Sequence, residues 1–278
     1  MEMDKKKAIT RPIVQTAVIM AVFYAFEIPM VWLDVFPEYS MLLTADIILR
    51  IALGTLSLVL LHKHSVRGES TYTVKQLFTN RIPAKTWLVL IPFIISILLP
   101  FLKLFTAFAF ASEVLGLVCL VIFQQFAVGF YEETAQRALM MNGLIKLNTG
   151  TVKQRLFTVF ITGAFFGLGH FPNILFGENP LLQCPSTMMW GMFIAAVYML
   201  SDNLLLVILL HTLSDSTFRI VKGLFGYARD SFFCKSVDSI RTVIDLLILP
   251  LMAILICVLY DRLKNTEKTS VHDATEGQ

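Results

Sequence analysis

Eight apolar runs dominate the chain: Pro12–Trp32, Met41–Leu61, Trp87–Phe105, Phe108–Leu147, Arg155–Phe171, Thr187–Leu200, Asn203–Phe218 and Ile240–Tyr260. A helix needs ~20 such residues to cross a bilayer, and most of these runs supply them. Charged residues make up only 15% of the chain, where a soluble domain usually carries about 25%. The mean hydropathy is +0.71. The sequence therefore predicts an all-α, polytopic integral membrane protein of about eight transmembrane helices. Its site would lie in the bundle core, and the lipid bilayer is its first partner. The sixth and seventh runs are short and separated only by Ser201 and Asp202, so failure of one to cross is the competing topology. The fourth is about twice the usual length and must tilt, project from the bilayer or break near Gly129.

Charge between the runs gives an orientation. Lys5, Lys6, Lys7 and Arg11 precede the first run, Lys63–Lys85 is polar and basic, and Lys146, Lys153 and Arg155 surround the turn after the fourth. Asp34–Ser40 and Pro172–Ser186 contain no Lys or Arg. By the positive-inside rule this alternation puts both termini in the cytoplasm of a bacterial plasma membrane. Lys63–Lys85 then reads as a cytoplasmic loop with a surface helix. No small-residue cleavage site follows the first run, so it is read as a retained helix. The chain divides into an N-terminal segment 1–11, a multi-pass bundle 12–260, and a charged tail 261–278 expected to be disordered. One stretch opposes this topology: Arg219–Arg241 would lie outside, yet it carries Arg219, Lys222, Arg229, Lys235 and Arg241.

The net charge of +3 comes with no basic stripe or recognition motif, so no nucleic acid partner is expected. Cys119, Cys184, Cys234 and Cys257 lack CxxC spacing, which excludes zinc-ribbon and thioredoxin-like readings. In the eight-span topology Cys184 and Cys234 share the outer side, where they could pair. His62, His64 and His272 lie in polar segments and are read as solvated.

Inside the fourth run stands Glu132-Glu133-Thr134-Ala135-Gln136-Arg137. Ionisable groups at membrane depth cost a few kcal/mol or more each, and such a cluster is by default a functional site. Glu133 and Arg137 are four apart on a helix and can pair. Glu132, turned by about 100°, is left without a partner; a structural ion pair alone would account only for Glu133. His170 and His211 are the two histidines inside apolar runs. Gly163, Phe166, Gly167 and His170 fall on one helical face, and Gly163 with Gly167 forms a small-xxx-small seam that lets a neighbouring helix approach. His211 and Asp215 are four apart, so the carboxylate can orient the imidazole or both can bind a metal. If the fourth and fifth helices turn near Asn148–Lys153, Glu133 lies about 16 residues before the turn and His170 about 20 after it. At ~1.5 Å per residue the two depths agree within two turns.

Glu132-Glu133-xxx-Arg137, Phe166-xxx-His170 and His211-xxx-Asp215, in that order on successive apolar helices, resemble the three motifs of the CPBP family. These are the CAAX-processing and bacteriocin-processing intramembrane proteases, also called the Abi family, which include the Ras-converting type of CAAX endoprotease. The resemblance covers roughly 108–218. It implies that Glu132 activates a water with His170 as its partner. His211 and residue 215 would polarise the scissile carbonyl or hold the oxyanion. Glu133 and Arg137 would be a positioning pair, with Phe166 supporting. The family usually has Asn where this chain has Asp215, and Asp donates a hydrogen bond only when protonated.

The implied function is an intramembrane endopeptidase acting on a membrane-associated peptide or lipidated protein substrate. A metal-dependent variant would add zinc or another divalent cation on Glu132, His170, His211 and Asp215, ligand types that suit zinc. The absence of HExxH and GxSxG excludes a zincin and a serine hydrolase. Two other classes compete. A non-catalytic immunity or scaffold protein would bind a peptide or protein through the same fold. A proton-coupled transporter would use the acids and histidines as a relay, although the chain shows neither an internal repeat nor matched broken helices.

Overall fold

The computed structural model describes residues 2–33, 35–36, 38–110, 115–148 and 150–264. The first two apolar runs form long helices, α1 (Glu2–Trp32) and α2 (Tyr39–Val66). The Lys63–Lys85 stretch contains a short helix, α3 (Val74–Thr79), closed at its start by a capping box of Thr73 and Gln76. The third run is not one regular α-helix. It divides into α4 (Ala84–Val89), α5 (Ile91–Leu98) and a 3₁₀ segment, Leu99–Thr106. Pro100, second in that segment, lacks the N–H that would extend the α-helical ladder.

The fourth run begins with a strand, β1 (Ala107–Phe110), and continues as α6 (Leu115–Glu133), a π-helical stretch (Thr134–Met141) and α7 (Asn142–Asn148). The helix does not break near Gly129. Gly129 instead serves close packing: a Cβ there would lie 3.1 Å from the Ile208 carbonyl oxygen and from Thr212 Oγ1. The irregularity falls at the polar motif itself, as π-bulges at functional sites often do.

The fifth run becomes α8 (Val152–Gly169), followed by a 3₁₀ turn (Phe171–Phe176). The sixth and seventh are longer than their sequence suggests: α9 (Pro180–Ser201) and α10 (Leu204–Leu224). Pro180 occupies the first turn of α9, where a missing N–H costs nothing. Asp202, at φ 50°, ends α9 in the left-handed region, and the Asn203 side chain caps α10. Neither run is too short to cross. A strand β2 (Phe225–Tyr227) pairs antiparallel with β1, then come α11 (Phe232–Val243), a π turn and α12 (Leu249–Lys264).

Among the described residues, six helical segments are long and apolar enough to cross a membrane: Thr10–Trp32, Tyr39–Val66, Val152–Phe176, Pro180–Ser201, Leu204–Lys222 and Phe232–Lys264. The protein is thus an all-α polytopic membrane protein. Of the tail expected over 261–278, residues 261–264 are the last turn of α12, and the rest lies outside the described residues.

The core centres on α9, whose residues Phe193–Leu200 are fully buried. α8 lies against it through the predicted glycine seam. A Cβ on Gly163 would come within 2.9 Å of the Met188 carbonyl oxygen, and one on Gly167 within 2.5 Å of the Cys184 carbonyl oxygen. Both obstacles are backbone, which cannot swing aside. Gly167→Ala is therefore expected to cost about 1–3 kcal/mol by overpacking, read as a melting temperature several degrees lower. An unchanged melting temperature would show that α9 can yield.

Two expectations fail here. All four cysteines are free, and Cys234 is buried with its sulfur 3.3 Å from Thr106 Oγ1, so it does not pair with Cys184. His64 is not solvated: it is 4% exposed and bonded to Glu69 at 2.6 Å and Gln15 at 2.7 Å. It terminates α2 against α1, so the polar character of its sequence neighbours misleads.

Candidate active site

The motif residues converge where α6, α8, α9 and α10 meet. Glu133, wholly buried, stands at the junction of α6 and the π-helical stretch and does two things. Its Oε2 lies 3.2 Å from Arg137 Nε, as the spacing predicts. Its Oε1 accepts a 2.8 Å hydrogen bond from His211 Nδ1 on α10. A carboxylate is acceptor-only, so this contact places the proton on Nδ1 and points Nε2 the other way. Nε2 lies 3.6 Å from Asp215 Oδ2 and 3.8 Å from Glu132 Oε2. The short anchor of His211 is thus Glu133, from another helix, and the predicted pairing with Asp215 is a looser contact.

Arg137 is fully buried. Its guanidinium carbon sits 4.7 Å from the centre of the Phe166 ring, and Nη2 donates to the Gly191 carbonyl at 3.4 Å. Among the described residues Glu133 is the carboxylate that neutralises it.

His170 ends α8. Its Nδ1 donates to the Phe166 carbonyl at 2.9 Å, leaving Nε2 as the free ring nitrogen. Its ring centre is 4.8 Å from that of Phe166. Glu132, Phe166, His170, His211 and Asp215 line one open pocket of about 200 Å³. All the residues that the sequence singled out are therefore brought together.

Three further groups belong to the site. Trp190 on α9 packs edge-on against His211, with ring centres 4.7 Å apart, and lines the same pocket. Arg50 on α2 and Glu27 on α1 lie on the far side of Glu132. Arg50 Nη1 is 3.8 Å from Glu132 Oε1, while its Nε and Nη2 donate to Asp46 at 2.8 Å and Glu27 at 3.2 Å. Glu132 is not without a charged partner, contrary to the sequence reading. The signal was present: Asp46 and Arg50 are an i, i+4 pair inside the apolar second run, and Glu27 interrupts the first.

Arg50 thus serves three carboxylates with one rigid fork. Lysine offers a single point charge in its place. Arg50→Lys is expected to lower the melting temperature by a few degrees, measured on detergent-purified protein; equal stability would mean that charge alone suffices.

Two buried carboxylate oxygens of the site make no hydrogen bond, Glu132 Oε2 and Glu133 Oε2, and the second is ion-paired with Arg137. Glu132 Oε2 is buried without a hydrogen-bond partner. Its side chain lies between the pocket and a polar cavity of about 310 Å³ that also reaches Arg50, Glu27 and His170. That cavity has the polar lining and the room that buried waters require.

Among the described residues, no three His, Cys, Asp or Glu side chains are grouped so as to hold an ion. His211 Nδ1 is committed to Glu133, which leaves Nε2 as the nitrogen of that ring that an ion could meet.

Fold and site define a polytopic membrane protein with carboxylates and histidines gathered in its interior around an open pocket. Residues 112–217 match a family model described as type II CAAX prenyl endopeptidase Rce1-like, and all three motifs lie within that segment. Over these residues the chain is similar to the CAAX/CPBP-type intramembrane proteases. No curated protein and no solved structure gives a significant match.

Proposed function

We propose that this chain is an intramembrane endopeptidase that hydrolyses a peptide bond in a membrane-associated peptide, with Glu132 activating the water. The observation that carries this reading is the buried, unpartnered Oε2 of Glu132, facing His211 Nε2 across 3.8 Å in a pocket that His170 also lines. A gap above 3.5 Å between two polar atoms suits a bridging water.

Glu132 takes a proton from that water while its oxygen adds to the scissile carbonyl carbon. His170 Nε2, the free nitrogen of its ring, accepts a hydrogen bond from the same water and orients it. His211, as an imidazolium, donates from Nε2 to the carbonyl oxygen as it gains charge, with Glu133 holding the ring in place. When the intermediate collapses, the carbon–nitrogen bond breaks, and Glu132 returns its proton to the leaving amine. One water is consumed and two peptide ends result. Positioned proton transfer of this kind contributes about 10²–10⁴-fold, and a preorganised oxyanion donor about 10²–10³-fold. The match to the prenyl endopeptidase model supports a lipidated CAAX peptide as the substrate class.

The test is incubation of the purified protein with a farnesylated CAAX peptide, with and without chelator, followed by mass spectrometry. A truncated product in both samples is expected. An intact peptide in both sinks the reading, and loss of product with chelator alone would favour the metal-dependent variant.

Asp215 supplies a second test. Arg219 lies one turn beyond it, and both line the same polar cavity. With that cation beside it, the Asp215 carboxylate is read as an acceptor that steadies His211. An Asn oxygen can do the same. Asp215→Asn should stay within about tenfold of the parent, while Asp215→Ala should lose about 10–10³-fold. A joint fall of bound metal and activity in Asp215→Asn would contradict the metal-free route.

A further inference from the structure

α1 ends at Trp32, far in sequence from the segment 112–217 that carries the three motifs, yet it is bonded to the backbone on both sides of His170. His170 stands where α8 stops, and the last four carbonyls of a helix have no partner within it. The Tyr24 hydroxyl on α1 donates to one of them, the Gly169 carbonyl, at 2.7 Å, and lies 3.3 Å from Asn173 Oδ1. Further along α1, Trp32 Nε1 donates to the Leu175 carbonyl at 3.1 Å. These bonds bracket the turn Phe171–Phe176 that follows His170. α1 also presses on that backbone directly, since a Cβ on Gly169 would collide with the Met20 methyl.

The ring of His170 is held through Nδ1 by the Phe166 carbonyl, one turn back on its own helix. That bond orients the imidazole on α8 but does not place the end of α8 relative to Glu132. α1 does. Thr16 and Tyr24 lie on one side of it: the buried Thr16 hydroxyl donates at 2.9 Å to the carbonyl of Ala135, three residues past Glu132, while Tyr24 holds the residue before His170. The Tyr24 side chain lines the same polar cavity as Glu132 and His170. Its proton is given to a backbone carbonyl, so its part is to hold a distance, not to supply an acid.

We propose that Tyr24 is a positioning residue for His170: with Trp32 it fixes the end of α8 so that His170 Nε2 meets the water activated by Glu132. The proposal rests on the endopeptidase reading and gives α1 a part in it beyond that of a membrane span.

The test is Tyr24→Phe, which removes the hydroxyl and keeps the ring. In the full-length protein with the farnesylated CAAX peptide, kcat is expected to fall about 10–100-fold, as a misplacement near 1 Å costs, with KM little changed. In the residual activity of a His170→Gln background the same substitution should cost nothing more, because a residue that acts through His170 has nothing left to position. Hydrogen exchange read by mass spectrometry follows the backbone without substrate. The segment 166–177 should exchange slowly in the parent and faster in Tyr24→Phe. Free exchange of the turn in the parent overturns the inference without any variant. So does an unchanged kcat in folded Tyr24→Phe, and so does a rise in KM alone, which would make Tyr24 a substrate contact. A further loss of similar size on the His170→Gln background also overturns it, by placing the effect elsewhere. A parent that protects this turn but cleaves nothing removes the endopeptidase reading, and the positioning role with it, and leaves the clamp as structure only.

Discussion

Glu132→Ala is expected to abolish peptide hydrolysis, by about 10²–10⁴-fold, in a protein that still folds. The survival of the fold is the discriminating half of this result. Arg50 and His211 both lie 3.8 Å from Glu132; when it is removed, Arg50 keeps hydrogen bonds to Asp46 at 2.8 Å and Glu27 at 3.2 Å and His211 keeps its 2.8 Å bond to Glu133, so no buried charge is stranded. Glu132 Oε2 makes no hydrogen bond that could be lost. The melting temperature should therefore move little while product formation disappears. His170→Ala should behave alike, since its bond to the Phe166 carbonyl is local to the end of α8. Retained hydrolysis in Glu132→Ala would end the hydrolase reading. A retained cellular phenotype without hydrolysis would point to a scaffold.

The neighbouring carboxylate should answer differently. Glu133→Ala is expected to lose both protein and activity. Arg137 has zero side-chain exposure and is neutralised by Glu133, so the substitution strands a cation in the bundle. Removing one member of a buried pair costs about 3–5 kcal/mol, against a total stability of ~5–15 kcal/mol. It also frees His211 from its 2.8 Å anchor. The double replacement Glu133→Ala with Arg137→Met separates the two effects. An apolar substitute for both charges avoids the desolvation cost, so protein level and melting temperature should recover while activity stays low. Recovery of activity as well would mean that Glu133 has no part in holding His211. Quantifying folded protein by size-exclusion fluorescence beside the cleavage assay reads both quantities.

The contrast between these adjacent glutamates was only half legible in the chain. Helical periodicity placed Glu133 over Arg137 and left Glu132 on another face, because i, i+4 neighbours are fixed by local geometry. The same rule marked the Gly163/Gly167 seam. It also pairs Asp46 with Arg50, whose guanidinium reaches toward Glu132.

Apolar run length and the cost of charge in lipid determined from sequence alone that this is a helical membrane protein, and they singled out Glu132, Glu133, Arg137, His170, His211 and Asp215 as its candidate site. Both follow from the solvent that each residue must face. What sequence could not decide is which groups meet across helices. His211 is bonded to Glu133 rather than to Asp215 one turn away, Arg50 reaches Glu132 from α2, and Trp190 walls the pocket from α9. These contacts join residues far apart in sequence, and helix rotation and packing set them. The π-helical stretch at Thr134–Met141, the division of the third run and the extra length of α9 and α10 were likewise hidden. Each depends on backbone hydrogen bonds and caps that apolar run lengths do not encode. The basic segment after α10 shows the same limit. Its charge was plain in the sequence, but only the tertiary fold turned it inward around a chamber beside the site.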